Sequence, residues 1–137
     1  MRFTSVTVLA AALFAVAVPV FAHHASQAEF DKNRPTTIVG TMTRVQWTNP
    51  HVRWYIDVKN QKTGEVETWM LQGSGPGAYK ANGISATGVF PIGKEYTVLI
   101  APARDGSNGG YVMSWTLPDG TKMDFWHDYG DGSTEKP

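Results

Sequence analysis

Two adjacent histidines, His23 and His24, follow a long apolar run near the start of the chain. The run from Val6 to Val20 is almost wholly apolar, Arg2 precedes it, and Ala22 fits the last position before a cleavage site. This pattern is typical of a secretory signal peptide. Cleavage after Ala22 would make His23 the N-terminal residue of the exported protein.

An N-terminal histidine can chelate a metal ion through its free α-amine and its ring nitrogen Nδ1. Amine and imidazole nitrogens suit Cu(II). His23 would supply both groups, and His24 or His51 would add a further nitrogen. As the second residue, His24 could also bind Cu(II) through the amine, a backbone amide and its imidazole. The opposing interpretation makes the two histidines solvated residues of an arm.

The second candidate is His51, the last residue of the segment WTNPH at positions 47–51. Asn49 and Pro50 form a turn signal, because Asn can bond its own backbone and Pro fixes φ. We therefore predict a structural role for these two residues. His51 would open the following strand, at a barrel rim that the N-terminal arm could reach.

A third group of polar residues lies in DFWHDYGDG, at positions 124–132. Asp124 or Asp128 could orient a metal-ligating His127, but the spacing does not match a twelve-residue Ca²⁺ loop. We interpret the segment as a solvated tail. No nucleophile elbow, phosphate-binding loop or carboxylate pair stands out in the sequence, which favours a protein that is not an enzyme.

The composition limits the other function classes. The mature chain, residues 23–137, is long enough for one domain with a modest core. The full chain has 12 basic and 12 acidic side chains, and loss of Arg2 leaves a net charge near −1. We therefore expect no nucleic-acid partner and no transmembrane segment in the mature chain. The absence of cysteine excludes disulfides and thiolate metal sites.

Short β-branched segments alternate with turn signals along the mature chain. The predicted strands are Thr37–Trp47, Val52–Val58, Val66–Leu71, Tyr96–Ile100, Tyr111–Leu117 and a return strand at Lys122–Trp126. Strict alternation predicts that the second strand is half-buried, with Val52, Trp54, Ile56 and Val58 on one face. Residues on a shared face are also predicted in two other strands: Val39, Thr41, Thr43, Val45 and Trp47 in the first, and Tyr111, Met113, Trp115 and Leu117 in the fifth.

Three strands, a short helical connection near Ala78–Asn82 and two more strands follow the order of the OB fold. We therefore predict an all-β protein, a small five-stranded OB-like barrel with a short helical connection after strand 3. The alternative is a plain antiparallel sandwich. The predicted divisions are a signal peptide (1–22), an N-terminal arm (23–35), the β-barrel domain (36–127) and a flexible tail (128–137).

Several segments together resemble a family of small exported bacterial proteins classed as a domain of unknown function. They are HHASQAEFD, GTMTRVQWTNPHVRWYIDV, GKEYTV and RDGSNGGYVMSWTLPDG, and WTNPH is the most specific part. This chain departs from the family pattern at Ala25, usually Ser, and at residues 73–76, where GSGP replaces Gly-Ser-Pro-Asn. The resemblance implies export and a small β-barrel, and it implies no established activity.

We therefore expect a periplasmic or secreted β-barrel protein that binds a small ligand or a metal ion. The most specific form of this expectation is a Cu(II) site formed by His23, His24 and His51. One alternative is a structural or interaction module that docks another cell-envelope protein without a metal. A further alternative is a copper-dependent redox enzyme.

Overall fold

The computed structural model describes residues 28–85 and 88–125. The predicted signal peptide, His23, His24 and His127 lie outside these ranges. The described elements are β1 (Thr36–Gln46), β2 (Arg53–Lys59), β3 (Val66–Gln72), the helix α1 (Pro76–Ala81), β4 (Glu95–Pro102), β5 (Gly109–Thr116) and β6 (Lys122–Asp124). A search of the described residues finds no helix with the length and apolar character needed to span a membrane.

Five of these strands close into a barrel. β1 pairs antiparallel with both β2 and β4, β2 pairs with β3, and β4 pairs with β5. The parallel pairing of β3 with β5, at Met70–Gln72 and Gly109–Tyr111, completes the circle. This strand order, with α1 directly after β3, confirms the predicted OB-like barrel rather than the sandwich. β6 adds a short antiparallel strand beside β5.

Aromatic rings fill the interior of the barrel. The ring centroid of Trp54 lies 5.4 Å from those of Trp115 and Phe90 and 5.6 Å from that of Tyr79. Such edge-to-face pairs each contribute about 0.5–1.5 kcal/mol beyond the area they bury. Trp54 and Trp115 are fully buried. A chain without disulfides therefore depends on this aromatic core.

The alternation predicted for the second strand is confirmed. Val52, Trp54 and Ile56 are fully buried, and Val58 packs against the core from a half-buried position. β2 pairs with β3 along its whole length and with β1 from Arg53 to Asp57, so its two faces keep a period of two residues.

The single face predicted for the first strand is wrong, because Val39 and Val45 lie on opposite sides of β1. Ile38 and Met42 are buried, whereas Val39 is 47% exposed. The register with β2 skips Thr43, which forms a β-bulge and changes which residues face inward. The predicted face holds only beyond the bulge, where Val45 packs against the core.

A second bulge corrects the face predicted for the fifth strand. The register between β4 and β5 skips Met113. Val112 and Trp115 therefore belong to the main core, whereas Tyr111 and Met113 form a smaller cluster with Phe30. Because Phe30 belongs to the N-terminal arm, this cluster fastens the arm to the opposite face of the sheet.

Helix α1 covers one end of the barrel. Pro76 occupies its first turn, where a missing backbone N–H costs nothing. Tyr79 is the buried residue of the helix, and its ring contacts Trp47 and Phe125 at centroid distances of 5.6 and 5.1 Å. The helix thereby holds Tyr79 against the connection between β1 and β2.

Candidate functional site

His51 lies where the connection between β1 and β2 meets the segment that follows β3. The N–H of Val52 donates to the carbonyl of Ser74, and the N–H of Gly73 donates to the carbonyl of Val52, both at 3.0 Å. The segments WTNPH and GSGP are therefore neighbours at one rim of the barrel. We call the following residues the rim cluster: His51, Gly73, Ser74, Tyr79 and Tyr111.

The imidazole of His51 has a defined proton position. Its Nδ1 lies 3.0 Å from the carbonyl oxygen of Gly73. A carbonyl oxygen can only accept a hydrogen bond, so Nδ1 carries the proton. In the neutral ring, Nε2 then holds the available lone pair, which is the usual arrangement of a metal-ligating histidine. The side chain is half-buried, so part of it faces solvent.

Two glycines permit the close contact between the segments. A Cβ atom at Gly73 would overlap the hydroxyl of Tyr79, and one at Gly75 would lie only 2.8 Å from the carbonyl oxygen of Pro50. Real Cβ atoms are not found this close to other heavy atoms. The glycines of GSGPG are therefore needed to pack this segment against residues 47–51.

Hydroxyl groups connect the rim cluster to the N-terminal arm. The N–H of Ser74 donates to the hydroxyl of Tyr79 at 3.1 Å, and Ser74 Oγ lies 3.0 Å from the hydroxyl of Tyr111. The ring of Tyr111 contacts Phe30 with a centroid distance of 5.9 Å. A path of contacts thus leads from Phe30 through Tyr111, Ser74 and Gly73 to His51.

Of the three histidines predicted as metal ligands, the structure describes His51. His23 and His24 lie outside the described residues, as do His127 and Asp128 of the third candidate. Within residues 28–85 and 88–125, no group of three or more His, Cys, Asp or Glu side chains could hold a metal ion. A metal at His51 would therefore need ligands from elsewhere in the chain.

Asn49 and Pro50 are exposed residues of the turn before β2, and the peptide bond between them is cis. This position agrees with the structural role predicted for them. The carbonyl of Pro50 and the side-chain oxygen of Asn49 lie beside Gly75, whose missing side chain leaves room for them.

Sequence reasoning did not identify the other residues of the rim cluster around His51. Ser74 and Tyr111 are 37 residues apart, and their spacing carries no sign that their hydroxyls meet. The glycines at 73 and 75 were the available signal, because paired glycines beside a turn can indicate a close backbone approach.

Comparisons with curated proteins and with solved structures found no match. The model of a family of unknown function, DUF6152, matches residues 11–112. The matched range includes all five residues of the rim cluster. It is also consistent with the predicted resemblance to a domain-of-unknown-function family. Because the match covers well over half of the chain, the protein belongs to the DUF6152 family of unknown function.

Proposed function

We propose that the protein is an exported β-barrel module that binds one Cu(II) ion. The ligands are the α-amine and imidazole of His23 together with Nε2 of His51, and His24 is the alternative third ligand. The observation that carries this proposal is the hydrogen bond from His51 Nδ1 to the carbonyl of Gly73. It fixes the tautomer and the orientation that a ligating imidazole requires.

The donor set favours Cu(II) over other metal ions. Amine and imidazole nitrogens bind Cu(II) more strongly than the other divalent ions of the first transition series. Ca²⁺ and Mg²⁺ prefer oxygen ligands, and the chain has no cysteine to supply a thiolate. Three nitrogen ligands would leave further positions on the metal for water or a small ligand.

The path of the N-terminal arm supports this ligand set. Phe30 is 2% exposed and contacts Tyr111, whose hydroxyl meets Ser74 of the rim cluster. Five residues lie between His24 and Phe30, and Ala28 and Glu29 among them are helical. Even a fully extended segment from His24 to Phe30 spans at most ~20 Å, so the proposal requires His51 to lie within that reach of Phe30.

The test begins with the precursor, expressed for export. Intact mass confirms whether the mature chain starts at His23, and calorimetry then measures Cu(II) binding. Electron paramagnetic resonance of the Cu(II) complex reports how many nitrogens are coordinated. We expect one tightly bound ion per chain, and His51→Ala should weaken binding tenfold or more and remove one nitrogen coupling.

Two further variants distinguish the proposed site from nonspecific Cu(II) binding. An extra Met before His23 displaces the amine from the chelate, so it should also abolish tight binding. His127→Ala removes a histidine outside the proposed site and should leave the affinity unchanged. Weak binding that is equal in the native and Met-extended proteins would refute the copper site and favour an interaction module of the cell envelope.

The redox alternative needs a separate measurement. The copper-loaded protein would be incubated with a reductant and either oxygen or peroxide, and their consumption would be followed. Consumption that is lost in His51→Ala would identify a copper-dependent redox enzyme. Binding without consumption would support a carrier or sensor role for the same site.

A further inference from the structure

A second candidate site lies between the N-terminal arm and the connection from β4 to β5. It is a groove of about 500 Å³, within the range of small-molecule sites, roughly 300–1,000 Å³. Its walls include Asp31, Arg34, Trp69, Pro102, Arg104 and Asn108, and none of the rim cluster lines it. We call it the arginine groove.

The charged side chains of the arginine groove give it a net positive charge. Arg104 Nη2 lies 3.6 Å from Asp31 Oδ1, which is too long for a hydrogen bond. Arg34 is exposed and forms no ion pair within the described ranges of the chain. The guanidinium of Arg34 therefore offers N–H donors, and no acceptor, to a ligand that accepts hydrogen bonds.

One carboxylate oxygen of the arginine groove is already engaged. Asp31 Oδ1 accepts the N–H of Asn33 at 3.2 Å and faces Arg104. The side-chain amide nitrogen of Asn108 donates to Glu67 at 3.4 Å. A cationic ligand would meet two guanidinium charges against one carboxylate, whereas an anion would meet the N–H donors of Arg34.

The walls of the arginine groove are held in place by hydrogen bonds. The N–H of Asp31 donates to Pro102 at 2.8 Å, which fixes the arm, and the N–H of Met70 donates to Asn108 at 3.0 Å. Asp105, in the same connection, accepts the backbone N–H and hydroxyl of Ser107 at 2.9 and 2.7 Å. Ordered walls reduce the entropy that a ligand must overcome on binding.

An indole forms the apolar part of the arginine groove. Trp69 is half-buried and packs against the core, and its Nε1 is buried without a hydrogen-bond partner among the described residues. Pro102 adds a second apolar surface. A ligand that joins an acceptor group to a ring or a short apolar body would match both parts of the groove.

We infer that the arginine groove binds a small organic carboxylate, with the carboxylate on Arg34 and the body of the ligand against Trp69. A guanidinium can hold a carboxylate through two parallel N–H···O bonds, which favours this group over a neutral amide. The inference concerns a site separate from the proposed copper ligands and does not depend on copper binding.

The experiment uses two carboxylates, benzoate and glucuronate, each compared with its uncharged amide. Binding is followed through the indole N–H signal of Trp69 in ¹⁵N–¹H spectra, which is assigned with Trp69→Phe. Arg34→Gln removes the proposed partner from an exposed position. Arg44→Gln is the matched control, because Arg44 is also exposed but stacks over the ring of Tyr55, 3.7 Å from its centroid.

We expect at least one carboxylate to shift the Trp69 signal, its amide to have no effect, and Arg34→Gln to weaken binding tenfold or more. Arg44→Gln and the Met-extended protein should bind as the native protein does, so failure of the copper site would leave this result unchanged. No shift up to ~10 mM ligand, which would mean binding weaker than the millimolar range, overturns the inference. An equal response to the amide, or in Arg34→Gln, overturns it too.

Discussion

His51 donates a hydrogen bond from Nδ1 to the carbonyl oxygen of Gly73, 3.0 Å away, and so joins residues that are 22 positions apart in the chain. The bond makes the direction of the Nε2 lone pair depend on the backbone at Gly73. The backbone of Gly73 is in turn fixed by its own N–H, which donates to the carbonyl oxygen of Val52, the residue before β2.

The first prediction concerns the tautomer of His51. In the metal-free protein, at a pH where the ring is neutral, the proton should reside on Nδ1, because only a protonated nitrogen can donate to the Gly73 carbonyl. Long-range ¹⁵N–¹H correlation spectra distinguish the two tautomers directly. A proton found mainly on Nε2 would contradict the hydrogen bond and weaken the case for His51 as a ligand.

The second prediction concerns Gly73→Ala. The new methyl group would overlap the hydroxyl of Tyr79 and approach the ring of Trp54, so the backbone must move. We expect a loss of roughly 1–3 kcal/mol in the free energy of unfolding, measured by denaturant titration. If the proposed site exists, Cu(II) affinity should also fall by about 10–100-fold, as it does when the hydrogen-bond partner of a ligating histidine is disturbed.

Gly77→Ala provides the matched control for Gly73→Ala. No atom lies within 4 Å of a Cβ built at Gly77, which is in helix α1. This substitution should be neutral or should stabilise the protein by up to about 1 kcal/mol, through the reduced entropy of the unfolded chain. Equal destabilisation by both substitutions would show that the contacts at Gly73 are not responsible.

The third prediction concerns the bulge in β1. Because the register with β2 continues from Met42 to Arg44, deletion of Thr43 would make β1 a regular strand in which Met42 and Val45 still face the core. We expect thermal unfolding of the deletion mutant, followed by circular dichroism, to remain cooperative. Thr43→Val keeps the residue count and loses the hydroxyl bond to the Tyr55 carbonyl, so it should cost only about 1 kcal/mol.

A deletion mutant that loses cooperative unfolding, while Thr43→Val keeps it, would be inconsistent with this account. It would show that β1 needs the extra residue for more than its register with β2. The local twist that the bulge gives to β1 would then be required for the barrel to close.

The fourth prediction concerns stability at acid pH. The hydroxyl and the backbone N–H of Ser107 bond the carboxylate of Asp105 and lower its pKa from the usual value of 3.8. Because the folded pKa lies below the unfolded one, this stabilisation is present above about pH 4 and is lost as pH falls through the folded pKa. Between pH 5 and 2, stability should therefore fall less steeply in Asp105→Asn than in the native protein.

Glu95→Gln is a suitable control for Asp105→Asn. Glu95 is also exposed, and it forms no side-chain hydrogen bond or ion pair within the described parts of the chain. Urea denaturation at several pH values would measure each variant. If both substitutions flatten the acid dependence to the same extent, the bonds from Ser107 are not its source.

The sequence was sufficient to predict the barrel but not the faces of two of its strands. The alternation in β2 is regular because Trp54 and Ile56 each have one partner on either side. Thr43 and Met113 suit a regular strand as well as they suit a bulge, so alternation alone could not reveal the change of face. The bulges depend on pairing with distant strands, which a single segment does not encode.

The candidate site was predictable only in part, for a similar reason. His51 attracted attention because a histidine follows a turn signal at the start of a strand. Its partner is a backbone carbonyl, and every residue has one, so no side-chain pattern could indicate Gly73. The arginine groove was not predicted at all, since Arg34 and Trp69 become neighbours only when the barrel is closed.

The parallel pairing of β3 with β5 therefore has a consequence for the order of folding. Met70 and Gly109 are paired although they are about 40 residues apart, and contacts that close such long loops form slowly. Trp69 and Asn108 of the arginine groove lie on opposite sides of this seam, and so do Ser74 and Tyr111 of the rim cluster. Neither site exists until β3 and β5 have paired. A ligand bound at either site would therefore stabilise the closed barrel against unfolding.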